Sequence, residues 1–450
     1  MTARARHKHA MRGGPSWVET PTHPDRLIVL RHVCLEQHRV TFFRNATAAA
    51  LFDNIKEPYH VFQRVAKPRE PPPRWAFEVV NEESHRNLSA ARWIAGTSFL
   101  HIPHRNVDNL FHFHNNFFLP LMLNVMLSGS ENEQRRLFLF KTWPLANHGV
   151  LKGKKWPHES IHPVLFYAME KVFSEVVWPV DDIWAAGQQL CFRRFVWSQR
   201  LTPMRYPYYD YASTDRLYRN MGVTTRVRDL VRTAMRVAPP PPMRSTAAPS
   251  VLWISRQPTC HPKVANAATA TSAGRCVRNL VEVLDGLRRT SLFGPVRVMD
   301  DFKLRHDAHE RTTMLRDQLE MLRDTDILMG MHGAGLSHIA YLGQRATIVE
   351  LKGHFWSEEG GKLKIYLAMA RLQQCAYMSV DVRSTMPMRS NTGYTLSPAH
   401  VERIAGAAKR EWVQAQNYSK PPTKGCTEHR SRVTCHCTHL TLLKSDRVTT

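Results

Sequence analysis

The residues best placed to do chemistry cluster between Asp324 and Ser337, which read Asp-Thr-Asp-Ile-Leu-Met-Gly-Met-His-Gly-Ala-Gly-Leu-Ser. Ile327–Met331 is an apolar run of strand length, with polar residues before it and glycines after, the pattern of a buried strand. His332, Gly333, Ala334 and Gly335 then make a turn whose small residues let a ligand approach the backbone. Leu336–Leu342 reads as a helix that opens at that turn. A strand, a glycine turn and a helix start leave N–H groups at the positive end of a helix dipole, which is chemistry for a phosphate. The candidate anion site is therefore His332, Gly333, Ala334, Gly335, Leu336 and Ser337, with the His332 imidazole as an added donor. On the glycines alone, a tight turn without a ligand is an equally good reading.

The elements that must hold this turn alternate regularly. Strands are expected over Val251–Ser255, Val296–Asp300, Ile327–Met331, Ala346–Leu351 and Ala376–Val382. Helices are expected over Cys276–Arg289, Thr312–Leu322, Leu336–Leu342 and Leu363–Leu372. That alternation predicts a doubly wound parallel sheet, whose ligands bind outside the carboxyl ends of the strands. Arg256, Gly333 and Glu350 all fall at or near such ends although they are far apart in sequence. Arg256 follows the first of these strands and offers a planar cation able to bind two phosphate oxygens. Glu350 has two readings, a contact to a nucleoside ribose or a cap on the end of its own strand. Asp324-Thr-Asp326 has the Asp-x-Asp form of a metal site, but it precedes its strand and so lies at the end opposite the glycine turn. It is read as a helix-to-strand turn, and no metal ligands are assigned.

At 450 residues the chain has room for two or three domains, and its 43% hydrophobic content describes a globular protein. A formal net charge of +24 admits a nucleic-acid partner. The basic residues are nevertheless spread along the chain, which favours a solvated surface. Residues 1–24 are basic and aperiodic, the composition of a disordered segment, and they lack the apolar region of a signal peptide. No stretch approaches the ~20 apolar residues of a membrane span. Residues 25–237 read as an N-terminal α/β domain, with strands at Arg26–Leu35, Val40–Phe43, Ser98–Pro103, Leu137–Thr142, Glu175–Val180 and Gln189–Ser198. Asp215–Val237 reads as a basic amphipathic helix with a solvated arginine face. Residues 238–250, with four consecutive prolines, form the expected inter-domain linker. Residues 251–396 form the nucleotide-binding domain, 397–416 a C-terminal helix and 417–450 a tail. The spacings in Cys435-His-Cys-Thr-His439 are too tight for a standard zinc site. Eight cysteines permit disulfides without fixing their pairing, and three sequons suit a lumenal protein.

Met331-His-Gly-Ala-Gly-Leu-Ser-His338, followed by Ala346-Thr-Ile-Val-Glu-Leu351, resembles the signature of glycosyltransferase family 61. The resemblance implies a GT-B-like α/β fold, two Rossmann-type domains facing each other across a cleft. It also implies an inverting transferase that needs no metal and no cofactor beyond its UDP-sugar donor. The sugar would be GlcNAc or a pentose such as xylose, and the acceptor a hydroxyl of a glycoprotein or glycan. The implied address is the lumen of the Golgi or endoplasmic reticulum, with membrane attachment only through an anchor that this sequence does not contain. Ile254-Ser-Arg256 is similar to the family's Ser-Arg at the same place. Arg275, Asn279 and Glu282 resemble an Arg-x-x-x-Asn-Glu-x-Glu pattern, with Leu280 in place of its first Glu. Asn109–Met126 is similar to the family's Asn-x-Phe-His segment and makes His112 a candidate catalytic base, beside a carboxylate that the sequence does not identify. Asn116 stands there where an Asp is expected, and an amide takes no proton near neutral pH. The alternatives are a weakened or inactive family member that binds UDP-sugar, and a basic nucleic-acid-binding protein.

Overall fold

The computed structural model describes residues 17–19, 27–36, 39–43, 76–80, 92–101, 114, 118–130, 133–139, 169, 172–177, 189–198, 221–240, 248–255, 276–300, 308–353, 365–382, 393–417 and 437–441. The chain divides into two compact units, Met1–Val223 and Thr224–Thr450. Both are mixtures of helix and parallel-paired strand, so the chain is an α/β protein.

The first unit is built on an eight-stranded sheet. Its strands are β1 (Trp17–Glu19), β2 (Leu27–Glu36), β3 (Arg39–Phe43), β4 (Ala76–Val80), β5 (Arg92–His101), β6 (Arg135–Leu139), β7 (Glu175–Val177) and β8 (Leu190–Ser198). They run in the order β4-β3-β2-β8-β5-β6-β7, with β1 paired to β2. Neighbours from β8 to β7 are parallel, whereas β2 is antiparallel to β1, β3 and β8. The sheet is thus mixed, which departs from the parallel Rossmann sheet expected for this half. The physical reason is a short β2–β3 connection of two residues, which can only reverse the chain. A disulfide between Cys34 and Cys191 ties β2 to β8.

One further difference belongs to this unit. The strand expected at Ser98–Pro103 begins at Arg92, because the ladder continues through a register shift between Ile94 and Thr97. Gly96 makes that shift possible with φ of 72°, and a Cβ there would lie 2.3 Å from the Gln134 carbonyl oxygen. Within the segment Asn109–Met126 the structure describes a helix, α1, over Leu119–Leu127, while His112 lies outside the described residues. Pro120 sits in its first turn, where a missing N–H costs nothing, and the residues from Leu119 to Met126 are all buried.

The second unit begins with α2 (Val223–Ala234) and continues through β9 (Val251–Ser255), α3 (Leu280–Arg289), β10 (Val296–Asp300), α4 (Ala308–Arg323) and β11 (Ile327–Met331). A 3-10 helix (Ala334–Tyr341), β12 (Thr347–Lys352), α5 (Ile365–Leu372), β13 (Ala376–Asp381), α6 (Pro398–Asn417) and β14 (Cys437–Thr441) follow. The division between the units falls at the first residue of α2. α2 goes with the second unit because its polar side chains bond to that unit's backbone. Thr224 Oγ1 donates to Leu372 O at 2.9 Å, and Arg228 and Arg232 donate to the carbonyls of Leu342 and Tyr341. The arginine face expected to be solvated is therefore partly buried: Arg228 and Arg232 are both in the interior.

The second sheet is parallel throughout, in the order β10-β9-β11-β12-β13-β14. β14 comes from the segment expected to be a tail, where one short polar strand gives no periodic signal. Residues at alternate positions of the strands (Trp253, Met329, Val349, Val380) meet α3 and α6 on one face. The 3-10 helix and α5 pack on the other side of the sheet. No helix among the described residues is long and apolar enough to cross a membrane.

Candidate active site

The strand order decides where a ligand can sit. Counted from β9, the chain lays its first strand down, adds β10 on one side, then crosses over to add β11 on the other. The connections leaving the carboxyl ends of β9 and β11 therefore part at this point and open a crevice, the position at which doubly wound sheets bind nucleotides. β9 ends at Ser255, and β11 at Met331, immediately before His332 and Gly333. Arg256, the residue after Ser255, lies outside the described residues, as do His112, Asn109, Asn116 and Arg275.

The glycine turn is as expected in place but not in form. The helix after it is 3-10, running from Ala334 to Tyr341, instead of an α-helix from Leu336. Its first turn closes through Leu336 N–H to Gly333 O at 3.0 Å. The His332 N–H is spent on Leu351 O at 2.9 Å, which fastens the turn to β12. In 3-10 geometry the N–H groups of Ala334 and Gly335 precede the first helical bond, so these are the backbone donors the turn presents. A 3-10 helix leaves fewer such groups unbonded than an α-helix, because its bonds close over three residues instead of four.

Packing holds the turn from below. A Cβ on Gly330 would stand 3.1 Å from Ile254 Cβ and 3.4 Å from Leu336 Cδ2. Gly330 is thus what lets the 3-10 helix lie close over β9 and β11, and Leu336 serves as the buried wedge of that contact. Ser337 is fully buried, and its Oγ makes no hydrogen bond among the described residues. His338 Nδ1–H donates to Gly335 O, which fixes the second turn of the helix.

Glu350 is buried on β12 among side chains. It is 1% exposed, in register with Gly330 on one side and Ser379 on the other. Its Oε1 meets His332 Nδ1, and its Oε2 accepts from the Tyr377 hydroxyl. Lys352 Nζ lies 3.9 Å from Oε2 and 5.9 Å from the centre of the Tyr377 ring. The partners of the carboxylate are side chains, so it does not cap its strand. Tyr366, from α5, packs edge-on to His332 with ring centres 5.1 Å apart, and its hydroxyl donates to Gly333 O. His332, Glu350, Tyr366 and Tyr377 thus form one buried polar cluster beneath the turn. Tyr366, Tyr377 and Lys352 carried no signal in the sequence, because their roles depend on α5 and β13 being laid beside β12.

Two other sequence candidates prove to be structural. Asp326 accepts from Ser250 N–H at 2.8 Å and Ser250 Oγ at 3.0 Å, while Arg323 pairs with Asp324. The Asp-Thr-Asp segment therefore joins α4 to β11 at the amino edge of the sheet, as its position implied. Among the described residues no group of His, Cys, Asp or Glu could hold a metal ion. Asn279 commits both ends of its amide to the backbone of Leu396, at 2.8 and 3.1 Å, so it positions the segment leading into α6.

A parallel α/β sheet with a glycine turn at its switch point places the second unit in the doubly wound α/β class. The comparisons with known proteins agree with the sequence resemblance. No family model matches the chain. It is 40% identical over 65 residues to the EGF domain-specific O-linked N-acetylglucosamine transferase of Drosophila melanogaster, a stretch covering 14% of this chain and 12% of that protein. It is 35% identical over 105 residues to the protein of the same name in Rattus norvegicus, and equally to that of Mus musculus, covering 23% of this chain and 17% of each. The chain thus spans less than a fifth of the length of these curated relatives.

Proposed function

We propose that the protein is an inverting, metal-independent glycosyltransferase that moves a sugar from a UDP-sugar to a hydroxyl of a glycoprotein or glycan. The observation that carries this reading is the position of the His332–Gly335 turn at the switch point between β9 and β11. The N–H groups of Ala334 and Gly335 would receive the diphosphate, and Arg256 would add a bidentate cation after β9. In the transfer, the acceptor oxygen forms its bond to the anomeric carbon as the bond to UDP breaks. The acceptor proton passes to a base, and the charge left on UDP is held by the turn. His112 is the proposed base, in the first unit of a GT-B-like pair of domains. The names of the relatives favour GlcNAc over a pentose, and a protein acceptor over a free glycan. Disulfide bonding of Cys34, Cys191 and Cys276 favours an oxidising compartment, as the Golgi or endoplasmic reticulum lumen would provide.

The test is a panel of UDP-sugars, assayed for donor hydrolysis and for binding by calorimetry on the full chain, with and without EDTA. Binding of UDP is expected, with UDP-GlcNAc the preferred donor, and Arg256→Ala is expected to weaken it by roughly 1.5–3 kcal/mol through lost charged hydrogen bonds. A chain that binds no UDP, or whose turnover is lost in EDTA and restored by manganese, contradicts the proposal.

A further inference from the structure

We propose that Asn417 is an N-glycosylation site, its side-chain amide taking an oligosaccharide from a lipid diphosphate carrier. The amide nitrogen forms its bond to the anomeric carbon of the first sugar as the bond from that carbon to the carrier diphosphate breaks. The amide gives up one proton to a base of the transferring enzyme, and the lipid diphosphate leaves. The proposal rests on the lumenal address proposed for the chain. It goes beyond the transfer reaction, because here the chain receives a sugar and does not move one.

Asn417-Tyr-Ser419 has the Asn-x-Ser form of an acceptor, with no proline in the middle. The same pattern occurs at Asn45 and Asn87, which lie outside the described residues. What singles out Asn417 is its place in the fold. It is the last residue of α6, and it is exposed. Inside a helix, residues i and i+2 point to different faces, so a hydroxyl two residues on cannot reach the acceptor amide. At the end of a helix that constraint is lifted. The last turn of α6 is also held in place. Gln416 Nε2 donates to Arg345 O at 3.2 Å, and Trp412 is buried with Lys409 Nζ 4.6 Å from its ring centre. Val413, four residues before Asn417 and so on the same face, is 40% exposed, one of two large apolar side chains so exposed among the described residues. A glycan on Asn417 would lie over it, because helix side chains lean toward the N-terminus. The bond to Arg345 puts this end of α6 at the amino edge of the sheet, beside the start of β12 at Thr347. The glycine turn follows the opposite end of β11, a five-residue strand that spans about 17 Å. The glycan therefore leaves the candidate donor site open. Disulfide bonding of Cys34, Cys191 and Cys276 suits the oxidising compartment in which such glycans are added.

The experiment reads the glycan directly on the full chain, made in a eukaryotic cell behind an added signal peptide. Peptide N-glycosidase treatment in 18O water, followed by peptide mass spectrometry, is expected to convert Asn417 to a labelled aspartate. Asn417→Gln and Ser419→Ala are each expected to abolish that label and to raise gel mobility by one glycan, whereas Ser419→Thr keeps both. An unmodified Asn417 peptide in the wild type overturns the proposal. The same peptide is then read from chain isolated, without an added leader, from the cells that produce it, and occupancy is expected there too. If Asn417 is modified behind the leader but bare in the native chain, the lumenal reading fails and the proposal falls with it. If Asn417 is bare in both while Asn45 or Asn87 carries a glycan, the lumenal reading stands and the assignment of Asn417 alone is overturned. In parallel, Asn417→Gln is expected to bind UDP within about twofold of the wild type, as a surface change away from the turn should. A clear loss of UDP affinity in the folded variant contradicts the placement of the glycan away from the donor turn. The glycan readings need no UDP, so they stand even if the donor-site reading fails.

Discussion

Replacing Arg232 by methionine should leave the second unit about as stable as before, although the arginine is buried and hydrogen-bonded. Arg232 is 2% exposed and donates from Nη2 to the Tyr341 carbonyl at 2.5 Å, closing the end of the 3-10 helix. Such a charged hydrogen bond contributes roughly 1.5–3 kcal/mol. Against it stands the cost of burying the cation. Burial pulls the guanidinium down to about 10, and the neighbouring Arg228 adds to the fall, while Asp229 opposes it. A basic group whose folded-state pKa is pulled below its ordinary value destabilises the fold in full at every pH below about 10, because the folded state disfavours the protonated form. The depth of that penalty is about 3 kcal/mol at 1.36 kcal/mol for each pH unit. The two effects nearly cancel, and methionine fills much of the same space without charge. Arg232→Met is therefore expected to change stability by less than about 1 kcal/mol, a shift of some 2–4 °C at most for a unit of this size. Arg232→Ala, which leaves the volume empty, is expected to cost about 2–4 kcal/mol. Thermal and urea denaturation of the three proteins is the assay. A methionine variant as unstable as the alanine variant would refute the reasoning, since it would mean that the bond to Tyr341 outweighs the burial penalty.

Gly330→Val should destabilise the second unit by about 1–3 kcal/mol, read by urea denaturation, because its side chain would push Leu336 and the 3-10 helix off Ile254. UDP affinity is expected to fall with it. Asp326→Ala should lower stability by about 1–3 kcal/mol through the two bonds lost to Ser250, while UDP affinity in the folded protein stays unchanged, as calorimetry would show. Removing the disulfide with Cys34→Ala/Cys191→Ala should cost about 2–5 kcal/mol in the first unit, since the bridge closes a separation of 157 residues. Cys375 is buried and burial pushes its thiol up to about 12, so iodoacetamide at pH 8 should modify it only after unfolding, as peptide mass spectrometry would reveal.

The sequence alone was enough to find the strands of the second unit. Val251–Ser255, Ile327–Met331 and the edge strand Val296–Asp300 match their expected limits; the first two do so because strands buried on both faces are written as continuous apolar runs. It was also enough to put the glycine turn at the carboxyl end of β11 and the Asp-Thr-Asp segment at the other end, since chain direction along a strand fixes which end is which. What it could not give was the order of the strands. Nothing local to β9, β10 or β11 says that β10 lies on the far side of β9, yet that order makes the β9–β11 gap the switch point of the sheet. The same holds for β14, a short polar strand that exists only by pairing with β13. Helix character was lost for a related reason: Ala334–Tyr341 is held as a 3-10 helix by Gly330 and Leu336 packing beneath it and by arginines from α2 at its end. Glu350 shows the limit most plainly. In sequence it is a carboxylate near the end of an apolar strand, with a ribose contact and a strand cap as its two readings. Only the neighbours brought in from β13 and from the turn, Tyr377 and His332, turn it inward, because a buried carboxylate must find its donors wherever the fold supplies them.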